Sequence, residues 1–147
     1  MLHRSFACLT LQFCVALVWV SLAGCDSSGL GSIVPVQGKV LLNDTPLATG
    51  SLVFEPDAGK GNQSPFQPAA EITSDGSYRL YTKEREGAPP GWYKVGVVAE
   101  GPASATDPYA PRTSLVAKKF TDPETSGLSV EVVPNSPANA YDLKLTK

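Results

Sequence analysis

The side chains with the richest chemistry all lie near the start of this 147-residue chain. The single histidine is His3, and the three cysteines are Cys8, Cys14 and Cys25. The sequence after residue 25 therefore contains no imidazole and no thiol, which are the ligands of most zinc, copper, haem and iron–sulfur sites. It also lacks the histidine base of a serine triad. These absences predict a domain without a transition metal, a cofactor or nucleophilic catalysis.

Carboxylates are the remaining candidates for catalysis or metal binding. They fall in stretches that have the composition of turns or charged loops, and no motif places two of them across a cleft. Oxygen ligands suit calcium, but no Asp-x-Asp-x-Asp-Gly loop is present, and scattered loop aspartates commonly form turns. The residues considered are Asp44, Asp57, Asp75, Glu84, Glu86, Asp107 and Asp122. We therefore expect neither enzyme activity nor a metal site.

Residues 1–24 have the composition of an export signal. One formal positive charge, at Arg4, precedes an apolar run over residues 6–20 that only Thr10 and Gln12 interrupt. A membrane-spanning helix needs about 20 apolar residues, so this run is short for a permanent span. Small residues follow it, as they do at a signal peptidase site. A buried helix of a soluble protein is the alternative, but no amphipathic period favours it.

The residues Leu22-Ala23-Gly24-Cys25 resemble the lipobox of bacterial lipoproteins. The resemblance implies that the Cys25 sulfur receives a diacylglycerol with chains such as palmitate, and that the bond between Gly24 and Cys25 is then cut. Each buried CH₂ contributes about 0.8 kcal/mol, so two or more chains anchor a protein stably. The resemblance thus implies an exported, membrane-anchored lipoprotein of the cell envelope. An unmodified cysteine after an ordinary signal peptide is the alternative.

The chain has no excess of basic residues that would attract a nucleic acid. The 12 Lys and Arg residues against 14 Asp and Glu residues give a net charge of −2. Removal of residues 1–24 takes away only Arg4, which leaves 11 basic against 14 acidic side chains and a charge of −3. This balance predicts that the protein does not bind nucleic acid.

The chain after the signal has the pattern of a short tether and one β-domain. Residues 25–33 are expected to be the lipidated Cys25 and a flexible tether, because residues 26–32 are small, polar and glycine-rich, and residues 34–147 are long enough for one domain with its own core. Short alternating runs separated by turn residues predict an antiparallel all-β sandwich of seven strands. The expected strands are residues 34–42, 51–55, 69–73, 78–82, 92–100, 128–133 and 141–145.

The sequence predicts a specific turn in two of the connections between these strands. The pair Asp75-Gly76 predicts a hairpin with a type I′ turn, because both residue types tolerate positive φ. Asn43-Asp44 predicts another turn, after which Pro46 is expected to end the strand pairing.

Residues 101–127 form a long stretch without a clear strand, longer than the loops of compact domains usually are. They include Leu115, Val116 and Phe120, which need burial. The segment either covers a sheet edge with its unpaired backbone groups or is a functional insertion. We favour edge covering because of the three apolar side chains.

Three motifs between residues 36 and 99 resemble the carboxypeptidase regulatory-like domain. They are a strand and turn from Val36 to Leu47, the hairpin Thr73-Ser74-Asp75-Gly76-Ser77-Tyr78-Arg79-Leu80, and the strand Gly91-Trp92-Tyr93-Lys94-Val95-Gly96-Val97. The resemblance covers about half of the mature chain. It implies a Greek-key sandwich of the transthyretin (prealbumin) type, and it specifies a fold more than an activity.

Two classes of function remain. The first is a lipid-anchored, exported module with a structural or protein-interaction role at the cell envelope, whose partners are the membrane and envelope proteins. The second is a module that binds carbohydrate or peptide through exposed aromatic side chains, for which Tyr81, Trp92 and Tyr109 are the candidates. We favour the first class.

An internal cross-link is a further hypothesis. Some related surface sandwiches join a Lys of the first strand to an Asn of the last strand with the help of a buried acid. Lys39 and Asn139 occupy such positions, with Glu71 or Glu131 as the acid. A solvent-exposed Lys39 is the simpler alternative, because buried lysine is rare.

Overall fold

The structure, a computed structural model, describes residues 29–107 and 109–146. The expected signal peptide and the lipobox residues Gly24 and Cys25 lie outside these residues. The described part of the chain forms an all-β fold of two sheets with one short helix, α1 (Pro123–Ser126). The strands are β1 (Gln37–Leu42), β2 (Thr45–Pro46), β3 (Ser51–Pro56), β4 (Ala69–Glu71), β5 (Ser77–Arg79), β6 (Tyr81–Thr82), β7 (Arg85–Glu86), β8 (Gly91–Val98), β9 (Ser129–Val132) and β10 (Leu143–Leu145).

The larger sheet has six strands in the order β7-β6-β4-β3-β8-β9. The smaller sheet is built around β1, which pairs with β10, β2 and β5. Val40 donates its N–H to the Gly76 carbonyl and accepts the N–H of Leu47, both at 2.9 Å. Because the N–H and C=O of one strand residue point to the same side, β2 and β5 lie along one edge of β1, and β10 lies along the other.

The core follows the alternation of the strands. Tyr93, Val95 and Val97 of β8 are fully buried, whereas Val98 is exposed. Buried side chains of both sheets form one cluster, in which the Phe54 ring lies 5.8 Å from the Tyr93 ring, measured between centroids. The period-2 pattern in the sequence thus predicted which faces of the main strands are buried.

The described residues contain ten strands instead of the expected seven; every expected strand overlaps an observed one, but the pairing differs in two ways. The expected strand 78–82 is divided at Leu80: β5 pairs with β1 in the smaller sheet, and β6 pairs with β4 in the larger sheet. Strands that change sheets in this way form the corners of sandwiches. The pairing of β1 with β10 is parallel, so the expectation of a purely antiparallel fold is wrong.

Both turn predictions need correction in part. Asn43 and Asp44 have φ values of 48° and 63°, which is the backbone of a type I′ turn, but Pro46 still pairs with Leu41. A proline is tolerated there because it lies between two hydrogen-bonded pairs, where no N–H is needed. In the second turn only Gly76 has a positive φ, of 80°, so the type I′ assignment is wrong for Asp75-Gly76.

Residues 101–127 follow β8 and then fold back onto it. Gly101 donates its N–H to Thr113 and Leu115 donates its N–H to Ala99, both at 2.9 Å, so residues 113–115 run along the edge beyond β8. Phe120 is buried, and α1 packs on β8. Residues 113–115 therefore cover a sheet edge, which agrees with the expected role of this segment.

The packed domain begins earlier than the expected boundary at residue 34. Leu30 is only 5% exposed, although its surroundings in the sequence have the composition of a tether. In the described part of the chain no helix is both long and apolar enough to cross a membrane.

Candidate functional site

The outer face of the larger sheet, opposite the core, contains a row of small and apolar side chains. Val53 lies directly opposite Ala69 on one side and Gly96 on the other, and Ala69 lies opposite Tyr81. Directly opposed residues of neighbouring strands share one face, so these four residues cross four strands as a single row. The middle of the row has little side-chain volume, which leaves a hollow between the Tyr81 ring and the β8 side of the sheet.

This hollow, which we call the outer groove, is a concave surface on the larger sheet. It has a volume of about 700 Å³, within the range of small-molecule sites. Its apolar floor includes Val53 and Ala69, and Tyr81 and Val98 border it with 44% and 43% of their surface exposed. Beyond the floor, α1 covers the sheet: a Cβ added at Gly96 would lie 2.9 Å from a ring carbon of Pro123.

The rim of the outer groove is polar and its charge is balanced. Glu71 and Arg79 border it together with the hydroxyl residues Thr73 and Ser77. The Nη1 atom of Arg79 also lies 3.3 Å from the Oε1 atom of Glu86. This ion pair is exposed and therefore contributes little to stability. The rim therefore offers both donors and acceptors of hydrogen bonds around an apolar floor.

A hydrogen-bonded turn fixes one end of this rim. The Asp75 carboxylate accepts hydrogen bonds from the hydroxyls of Thr73 at 2.6 Å and Ser77 at 2.7 Å, and from the Ser77 N–H at 3.1 Å. These donors, first of all the Thr73 hydroxyl, hold the pKa of the Asp75 carboxyl far below its ordinary value of 3.8. The turn thus favours the ionised carboxylate.

We expect Asp75→Asn to make stability less dependent on pH in acid. Because the folded state lowers the pKa of Asp75, its contribution is fully present above 3.8 and is lost as the pH falls further. Urea unfolding at several pH values should show wild type more stable than Asp75→Asn at neutral pH, with a difference that shrinks below 3.8. The control is Asp44→Asn, since the side chain of Asp44 is 87% exposed. A constant difference between wild type and Asp75→Asn would contradict the prediction.

The three aromatic candidates do not form one platform. Tyr81 borders the outer groove, and Tyr109 lies in an exposed loop with 95% of its surface accessible. Trp92 is half-buried, and the Lys60 Nζ lies 3.9 Å from the centre of its ring while donating to the Ser129 hydroxyl at 2.8 Å. Trp92 precedes Gly96 by four residues on β8, which separates it from the groove by about 13 Å along the strand.

A second hollow of about 400 Å³ has both cross-linking candidates in its lining. Lys39 and Asn139 both border it, and the Asp142 carboxylate accepts the Lys39 backbone N–H at 2.8 Å. Asn139 lies in a turn and not in the last strand, and both Glu71 and Glu131 are exposed on the larger sheet. The arrangement therefore lacks the buried acid that the cross-link hypothesis assigned to these glutamates.

The other shifted pKa values have structural causes. Burial raises the pKa of Tyr78, whose hydroxyl donates to the Tyr141 carbonyl at 2.6 Å. Burial also raises the pKa of Tyr93, which donates to the Pro89 carbonyl at 2.8 Å. Across residues 29–107 and 109–146, no three Asp, Glu, His or Cys side chains are grouped to hold a metal ion.

Comparison of the chain with family models, with curated proteins and with solved structures gives no match. The chain's own residues are therefore the basis for assigning a function.

Proposed function

We propose that the protein is an exported, lipid-anchored and non-enzymatic β-module that binds a partner at the cell envelope through the outer groove. In this proposal residues 1–24 are a signal peptide, Cys25 is the acylated first residue of the mature protein, and the lipid holds it at the membrane. The motif Leu22-Ala23-Gly24-Cys25, one residue after a short apolar run, supports the anchor.

We also propose a Greek-key arrangement of the transthyretin type, as in carboxypeptidase regulatory-like domains. The motifs on which this resemblance depends occupy β1, the turn before β5, and β8. Two sheets and a chain that changes sheets at Leu80 support such a fold.

The outer groove is the observation on which the binding role depends. A concave surface with an apolar floor and a few polar groups on its rim is the usual form of a ligand-binding site. The groove lies on a sheet face, and the Thr73 and Ser77 hydroxyls on its rim donate to the Asp75 carboxylate, which is a weak base because its pKa is lowered. Binding without chemistry is the function that such a surface supports best.

A photo-reactive amino acid at position 81 is expected to give one discrete cross-linked product in living cells. The control position is 109, because Tyr109 is more exposed than Tyr81 but lies outside the groove. A lysine at Val53 in the groove floor should reduce the product from position 81 by about tenfold or more, because it brings a charge into the buried centre of an interface. Equal products from positions 81 and 109, or no effect of Val53→Lys, would contradict the binding role.

Carbohydrate or peptide binding is the second candidate, and Tyr81 favours it. An aromatic ring beside an apolar floor and a hydroxyl-rich rim can stack on a sugar ring and hydrogen-bond its hydroxyls. Retention of the purified protein on insoluble envelope polysaccharide, lost in Tyr81→Ala and kept in Tyr109→Ala, would favour this candidate over a protein partner.

A further inference from the structure

The first described residues are fixed to the domain. Leu30 and Val34 are 5% and 7% exposed, and Val34 exchanges two backbone hydrogen bonds of 2.9 Å with Ala88. A Cβ added at Gly87 would lie 2.8 Å from the Ile33 side chain, so residues 33–34 pack closely against the chain after β7. The N-terminal segment is therefore part of the folded body from Leu30 onward.

This packing leaves a very short connection to the proposed lipid anchor. Four residues separate Cys25 from Leu30. Even fully extended, the five steps from Cys25 to Leu30 span at most about 18 Å, against about 32 Å for the nine steps to Val34. A domain of this size has a radius of gyration of about 13 Å and hence a diameter of about 35 Å. The connection is about half as long as the domain is wide.

We propose, on the basis of the lipid anchor in the proposed function, that the domain lies directly on the bilayer, with residues 30–34 and the adjoining hairpin 83–88 facing the lipid headgroups. Leu30 stays within about 18 Å of the anchored residue. The domain therefore cannot turn this side away from the membrane. The partner of this surface is the lipid bilayer itself.

The chemistry of the surface fits headgroups better than the apolar interior of a bilayer. The hairpin presents two basic and two acidic exposed residues: Lys83, Glu84, Arg85 and Glu86. Their charges balance, so the short connection and not an attraction to anionic lipid holds the surface in place. Because Tyr81 lies opposite Glu86, the outer groove opens one strand away from this surface.

The test uses the native acylated protein, purified from membranes, in nanodiscs of phosphatidylcholine that contain a headgroup-spin-labelled lipid. We expect the greatest loss of backbone amide signals at residues 30–34 and 83–88, with a loss that declines with distance from Leu30. Insertion of about 20 Gly and Ser residues between Ser28 and Gly29 gives a connection with a root-mean-square length of about 28 Å, and it should remove this pattern. The same insertion after Ala105, in an exposed loop, is the control and should leave the pattern unchanged.

The possible results show whether the proposed orientation or the proposed lipid anchor is wrong. A uniform loss in wild type, a maximum elsewhere on the surface, or the same pattern in the insertion after Ser28 overturns the orientation but leaves the anchor intact. A protein without acyl mass, or one that does not bind nanodiscs, overturns the anchor and the orientation with it. If discs with added phosphatidylglycerol give the same pattern, the result supports a surface that is held at the bilayer by the short connection. A pattern that appears only in discs with phosphatidylglycerol overturns this proposal.

Discussion

The variant Gly38→Ala should lose about 3 kcal/mol or more of its free energy of unfolding, because β1 passes too close to its neighbours for any side chain at this position. A Cβ at Gly38 would lie 2.8 Å from the carbonyl carbon of Tyr141 and 3.1 Å from the Tyr78 ring. The Tyr141 carbonyl also accepts the Tyr78 hydroxyl at 2.6 Å. Movement that relieves the clash therefore disturbs a buried hydrogen bond as well.

Urea unfolding of wild type and Gly38→Ala measures this effect as a shift of the midpoint. Gly101→Ala is the matched control, because an added Cβ there would have its nearest neighbours at 3.5 and 3.8 Å, which is ordinary contact. It should change stability by about 0.5 kcal/mol at most. Equal midpoints for the two variants would show that the close approach at Gly38 does not constrain the fold. If Gly38→Ala does not fold, Tyr78→Phe tests the same contact with a smaller loss of about 1–3 kcal/mol.

The strands could be predicted from the sequence because each one has a local pattern. In β8 the partly exposed Lys94 lies between the buried residues Tyr93 and Val95, as period 2 requires. The parallel pairing of β1 with β10 has no such local signal, because Val40 and Leu143 are far apart in the chain and only the closed fold brings them together. The division at Leu80 is equally invisible, since both halves of residues 77–82 continue the same alternation.

The candidate site could be predicted only in part. The sequence identifies Tyr81 as a candidate aromatic residue, but it does not identify Ser51, Val53, Ala69 and Val98, because a groove is defined by missing side-chain volume across several strands. Its position depends on a register that no single strand encodes. Once the order β6-β4-β3-β8 is known, the alternation of each strand does identify the outward-facing residues.

The start of the packed domain could not be predicted from the amino-acid composition. Gly29, Gly31 and Ser32 give the segment around Leu30 the composition of a flexible linker, and a single apolar residue does not change that composition. Its burial depends on a space in the domain that the linker sequence cannot reveal. The difference of four residues decides whether the proposed anchor leaves the domain free or holds it at the membrane.

Complete loss of lipid is the expected result of Cys25→Ser. Acylation of a lipobox requires a soft thiolate nucleophile, and serine has nearly the same size but lacks this nucleophile at neutral pH. The acylation step comes before cleavage in bacterial lipoproteins, so the variant should keep its signal segment or be cut elsewhere by the general signal peptidase. The folded domain should unfold at the same urea concentration as wild type, because the buried residues of the described chain start at Leu30, five residues after Cys25.

Cys14→Ser is the matched control, because Cys14 lies in the apolar run and outside the motif that ends at Cys25. Intact-mass analysis should find a diacylated N-terminal Cys25 in wild type and in Cys14→Ser, and no acyl mass in Cys25→Ser. Detergent phase partitioning should place the acylated proteins in the detergent phase, since each buried CH₂ of the chains contributes about 0.8 kcal/mol to membrane binding. Wild-type protein with an unmodified Cys25 in the aqueous phase would remove the basis for the lipoprotein proposal, and the outer groove would then belong to a protein without a lipid anchor.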